Sequence, residues 1–121
     1  MRSVMSSVAV VLWLALPAAA QDPVKVDPAH HKVEFENDQV RVLRVNLPAG
    51  EKTPVHEHPD IVAVYLTDLK NRVSPVGGTP SETPRKAGEV NSLPATKHMV
   101  ENIGTTKAEI IVVELKKAAS K

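Results

Sequence analysis

Pro48-Ala49-Gly50-Glu51-Lys52-Thr53-Pro54-Val55-His56-Glu57-His58 is the stretch on which the reading of this chain turns. Its first three residues carry turn chemistry, and the two histidines stand one residue apart beyond them. In a strand, side chains at i and i+2 share a face about 7 Å apart along the chain, so both imidazoles can converge on one point while Glu57 faces away. His98, four residues before Asn102, is the candidate third member. The spacing predicts a metal site assembled from two separate strands. His-x-His by itself also describes two solvent-facing histidines on an edge strand, so the surrounding pattern has to decide.

That pattern is β on both sides of the quoted stretch. Val33 to Phe35 alternates, and in Val40 to Leu47 the apolar residues change phase between Val42 and Leu43, which predicts a twist or bulge inside that strand. Ile61 to Leu66 and Ile110 to Leu115 are dense in β-branched residues; Val73 to Val76, Val90 to Leu93 and Met99 to Ile103 are shorter candidates. Turn residues separate them at Asn37-Asp38, Asp68 to Asn71, Gly77-Gly78, Ala87-Gly88 and Gly104-Thr105. No stretch has a helical period with caps. Ser74 to Lys86, with Pro75, Pro80, Pro84 and two glycines, reads as a long surface loop. Short strands with frequent turns indicate an all-β sandwich or barrel.

The N-terminus reads as a cleaved signal peptide over residues 1–20. Arg2 supplies a positive charge, Val8 to Leu16 is apolar, and Ala18-Ala19-Ala20 precedes Gln21 with the small residues a signal peptidase reads. The apolar run is too short to span a membrane, so no stable membrane anchor is expected after cleavage. An exported protein, periplasmic or secreted, with one domain over residues 21–121 and a core at about 31–117, is the expectation.

Removing residues 1–20 takes away the one Trp and leaves Phe35 and Tyr65 as the aromatic content, which disfavours stacking on bases or sugars. It also takes Arg2, so basic residues equal the 14 acidic ones and no nucleic-acid face is expected. With no cysteine, neither disulfides nor thiolate ligands are available, and histidine and carboxylate remain as the strong metal ligands. No nucleophile motif, phosphate-binding glycine loop or paired-carboxylate site is present, which argues against triad hydrolases, nucleotide enzymes and glycosidases.

Gly50, five residues, then His56-Glu57-His58 resembles the first motif of the cupin superfamily, and Gly88, five residues, Pro94, then His98 and Asn102 resembles the second. The resemblance spans nearly all of residues 21–121 and is to small single-domain bacterial cupins, including strands similar to Glu36 to Val42 and Ile111 to Lys116. It implies a double-stranded β-helix (jelly-roll) barrel with a divalent transition metal inside (Fe, Mn, Ni, Cu or Zn), ligated by His56, His58 and His98. It departs from the family's pattern where an acidic ligand usually follows the second histidine, for Val62 and Ala63 stand there. Leu69 and Lys70 occupy the region of an expected glycine, the Pro94 to His98 interval is one residue short, and Thr96 replaces a common glycine.

Three neutral imidazoles leave the ion its full charge, which favours an anionic ligand. Asp60 is weighed both as a ligand and as a turn or histidine-orienting acceptor, because Pro59 interrupts the strand. Tyr65 is read as a core residue or as an inward acid or hydrogen-bond donor, Asn102 as holding a turn or orienting a ligand, and either as a candidate additional ligand. His30 and His31 read as surface residues facing opposite ways, and at most one of Arg41 and Arg44 faces inward. The expected function is a metal-dependent cupin enzyme, dioxygenase-like or isomerase-like, on a small oxygen-bearing, anionic substrate. The alternative is a non-catalytic cupin that binds a metal or small ligand. No catalytic residue beyond the ligands is assigned, and a homodimer is expected.

Overall fold

A computed structural model describes residues 21–117; the signal-peptide reading of residues 1–20 falls outside the described residues. The chain opens with a single helical turn, α1 (Pro23–Val26), which Asp22 caps by accepting from the Val24 amide at 2.9 Å while Pro23 presets the first φ. Nine strands follow: β1 (His31–Glu36), β2 (Val40–Leu47), β3 (His56–His58), β4 (Ile61–Tyr65), β5 (Leu69–Pro75), β6 (Ser81–Arg85), β7 (Val90–Leu93), β8 (Thr96–Asn102) and β9 (Ala108–Leu115).

They form two antiparallel sheets, one ordered β1-β2-β9-β4-β7 and the other β3-β8-β5-β6. The inward faces follow the two-residue period. Leu43, Val45 and Leu47 on β2, Ile61, Ala63 and Tyr65 on β4, and Val112 on β9 are buried. They make two packed clusters, Leu43-Val45-Ile61-Val112 towards one end of the barrel and Leu47-Ala63-Tyr65-Leu69-Ala108 towards the other. Among the described residues no helix is long and apolar enough to cross a membrane.

Two local expectations change. Pairing of β2 with β9 is unbroken from Val40 to Leu47, so the expected bulge is not in β2. It lies in the partner strand: β1 pairs Val33 with Leu43 and then Phe35 with Val42, leaving Glu34 as the extra residue opposite the change of phase. Ser74 to Lys86 is not one long loop. Leu69 to Pro75 forms β5 and Ser81 to Arg85 forms β6, paired as a hairpin around Gly77, whose φ of 74° needs a residue without a side chain. Pro84 is tolerated in β6 because that strand is a sheet edge.

Candidate metal centre

The turn before β3 and the turn after β8 bring the histidines together. Gly50, at φ 81°, donates its amide to the Asn102 carbonyl at 2.9 Å, and Thr53 accepts the Val100 amide on its hydroxyl at 3.0 Å. With β3 so placed, His56 and His98 are direct cross-strand partners in neighbouring strands of one sheet. Their Nε2 atoms are 3.1 Å apart. His56 and His58, on one face of β3, have ring centroids 4.9 Å apart, and His58 and His98 5.5 Å.

His31 joins them from the opposite sheet. It is 4% exposed, not a surface residue, and its ring lies 5.0 Å from that of His56 and 6.3 Å from that of His58. One nitrogen from each of His31, His56 and His58 falls within a group spanning 4.8 Å. The signal for His31 was its phase: it pairs with Val45 and Val33 with Leu43, so it shares the inward face of β2's core residues. His30, one residue earlier, faces the other way, held by Asp27 at 2.8 Å and Glu51 at 2.8 Å. Burial pushes His30 down, but these two carboxylates outweigh it and hold the imidazole above its ordinary value.

Three of the rings are fixed by their far nitrogens. His56 donates Nδ1–H to the Pro54 carbonyl at 2.9 Å, His31 to the Asp27 carbonyl at 3.2 Å, and His58 to Glu114 Oε2 at 2.8 Å. Each bond selects the tautomer whose Nε2 lone pair faces inward, the orientation a metal-ligating imidazole needs. Burial, foremost, and the neighbouring imidazoles push His56 down to about 3 and His98 to about 4, so both stay neutral at physiological pH. Burial likewise lowers His31. At metal–nitrogen bonds of about 2.1 Å, two ligands of one ion stand about 3.0–3.4 Å apart, and the His56–His98 separation falls in that interval.

Glu114 is the carboxylate the sequence reading missed. It is buried, bonds His58, and receives Arg41 Nε at 2.6 Å, while Arg41 also meets Asp22 at 2.8 Å. Burial pushes Glu114 up, but His58 and Arg41 outweigh it and keep the carboxyl ionised below its ordinary range. Arg44, on the other face of β2, pairs with Glu34 at 2.6 Å away from the site.

Asp60 is exposed and accepts the Ala95 amide at 2.9 Å, so it ties the β3–β4 corner to the β7–β8 turn and orients no histidine. Asn102 is fully buried and holds a turn: its amide donates to Leu47 and Thr106 carbonyls at 2.8 and 2.9 Å, and its oxygen accepts from Gly104. Tyr65 packs in the core with Arg85 5.4 Å over its ring. All four histidines and Tyr65 line one interior cavity of about 90 Å³, walled by Leu47, Ala63, Val73, Val100 and Ile110.

No family model and no curated protein matches the chain. Solved structures do. A cupin domain from Bordetella pertussis is 25% identical, with a TM-score of 0.67 over 72% of this chain and 92% of that one. The fold is the cupin fold. A cupin 2 conserved barrel domain protein from Salinispora arenicola (16% identical, TM-score 0.57) matches over 89% of this chain and 91% of its own. An RmlC-like cupin with a double-stranded β-helix from Methanocaldococcus jannaschii (22%, 0.57) matches over 74% and 83%. These neighbours support placing the chain in the cupin superfamily, and buried His31, His56 and His58 give this fold a set of side chains that could hold a metal ion.

Proposed function

We propose that this chain is an exported small cupin that holds a divalent transition metal through His31, His56, His58 and His98 and uses it on a small, anionic, oxygen-bearing substrate. The observation that carries this reading is that His31, His56 and His58 each bring one nitrogen within 4.8 Å of the others while separate acceptors hold their Nδ1 atoms. Gathering four imidazoles in a largely apolar interior costs desolvation, which a shared ion would offset.

His31 supplies from β1 the fourth ligand that Val62 and Ala63 do not. Glu114 holds His58 and is itself neutralised by Arg41, so the carboxylate orients a ligand without cancelling the charge on the ion. When bound, a redox-active metal would supply dioxygenase-type chemistry and zinc would supply Lewis-acid chemistry. The protein's own part is to fix the four imidazoles, favour the neutral form of His31, His56 and His98, and surround the substrate with apolar walls that exclude water.

A second reading rests on the same count. Four imidazoles are enough to close a tetrahedral ion, and a closed site is structural rather than catalytic. An ion preferring six ligands would keep two positions open. Export is supported by the features of residues 1–20, and a homodimer by edge strand β1, whose Val33 and Phe35 are exposed.

Metal analysis of untagged protein purified from the periplasm tests the proposal. Near-stoichiometric metal, mostly lost in His98→Ala, is the expected result; wild type that stays metal-free after reconstitution with each candidate ion would sink it. Oxygen consumption or turnover of small carboxylates, abolished by His56→Ala, separates the enzyme from the closed site.

A further inference from the structure

The cavity continues away from the histidines and ends at a polar side chain with no partner. Asn71, on β5, is 4% exposed and lines the cavity, and its Oδ1 is buried without a hydrogen bond. The neighbouring hydroxyl of Thr83 is turned to the Asn71 backbone carbonyl at 3.4 Å and leaves the amide oxygen unsatisfied. Asn71 is opposite Asn102 on β8, four residues beyond His98, which places it about 13 Å along the strand from the level of the His56–His98 pair. Between the two levels the wall is mostly aliphatic, with Val73 and Val100 from one sheet and Leu47, Ala63 and Ile110 from the other, joined by Tyr65 and Thr53.

We propose that Asn71 is the distal anchor of the ligand site and accepts a hydrogen bond from a hydroxyl on a short aliphatic carboxylate whose other end reaches the histidines; this rests on the metal reading above. Three features define that ligand. Neutral imidazoles leave a divalent ion with its charge, since Arg41 already matches Glu114, and a carboxylate fits that end. The aliphatic belt suits methylenes. A buried, unpaired carbonyl oxygen on a residue that lines the cavity favours a donor, and meeting that need discriminates strongly against the analogue that lacks it. A volume of about 90 Å³, at roughly 10–15 Å³ per water-sized group, sets the size at roughly six to nine heavy atoms. That range runs from 3-hydroxypropanoate to 6-hydroxyhexanoate, and the separation of about 13 Å, less a metal–oxygen bond of about 2.1 Å and a hydrogen bond of about 2.9 Å, favours its long end.

The full protein is loaded with Co(II), its metal content is measured, and the Co(II) visible spectrum is titrated with this ω-hydroxy series and with propanoate to hexanoate. Wild type is expected to bind at least one hydroxy acid about tenfold more tightly than its unsubstituted parent, the ratio one well-made hydrogen bond supports. Asn71→Leu should erase that preference, keep full Co(II) stoichiometry, and melt higher because a buried unpaired polar group is gone. Asn71→Ala, which adds no bulk, should erase the preference too if the leucine does not fit. Equal affinities throughout the wild-type series, as a water on Asn71 would give, or a preference that survives either substitution, overturns the Asn71 assignment while Co(II) uptake leaves the metal reading standing. Protein that takes up no Co(II) overturns both.

Discussion

His56 and His58 were legible because a two-residue period is a property of any strand and a pair of histidines in that phase has one shared face, and His98 through its place in the second motif. His31 was not, because it stands between polar His30 and Lys32 just after a turn-forming Pro28, and its phase shows only once β1 is set against β2. Glu114 was hidden inside a strand dense in Ile and Val, where its parity with Val112 points it inward to His58. Both residues are open to direct test. His31→Ala should weaken metal binding at least tenfold in a competition titration, whereas a three-histidine site would keep wild-type affinity. Glu114→Gln keeps the size but loses the carboxylate that orients His58, and a loss of about 10–100-fold in metal affinity is expected. An unchanged constant would make Glu114 a partner of Arg41 alone.

At the scale of elements, strands rich in Val and Ile declared themselves, while β5 and β6 did not. Leu69-Lys70-Asn71-Arg72-Val73 has the alternation of a strand, yet Asp68 and Asn71 imitate turn signals, and β6 carries Pro84 with no large apolar residue. Cross-strand pairing, which a linear reading cannot see, overrides those propensities. Asn102 shows what holds the elements in place. Its three hydrogen bonds join the end of β2 to the β8–β9 turn with no exposure to water. Replacing it by Ala strands two carbonyls and one amide, so Asn102→Ala should destabilise by about 2–4 kcal/mol in urea unfolding. A change under about 0.5 kcal/mol would mean that water replaces the side chain and that the clamp is dispensable.

At the scale of the molecule, an interior that gathers imidazoles resists acid only as far as they stay neutral. An unfolded histidine titrates near 6.5, whereas burial and mutual repulsion bring His56 to about 3 and His98 to about 4 in the folded protein. Between those values the unfolded chain binds more protons than the folded one, so stability rises with pH there. The stability linked to these two groups is complete above pH 6.5 and is lost as pH falls through 4 and then 3. His31, also lowered by burial, adds in the same direction; His30, raised by Glu51 and Asp27, opposes it and gives its support below its own folded value. Three lowered histidines outweigh one raised, so the urea midpoint of chelator-treated protein should fall steadily from pH 7 to pH 4. A metal that occupies the imidazoles binds the folded state alone and should raise the midpoint at pH 7 by mass action, with the gain shrinking as protons compete for the same nitrogens. A midpoint that stays level across this range, with and without metal, would show that the four rings are neither desolvated together nor shared by one ion.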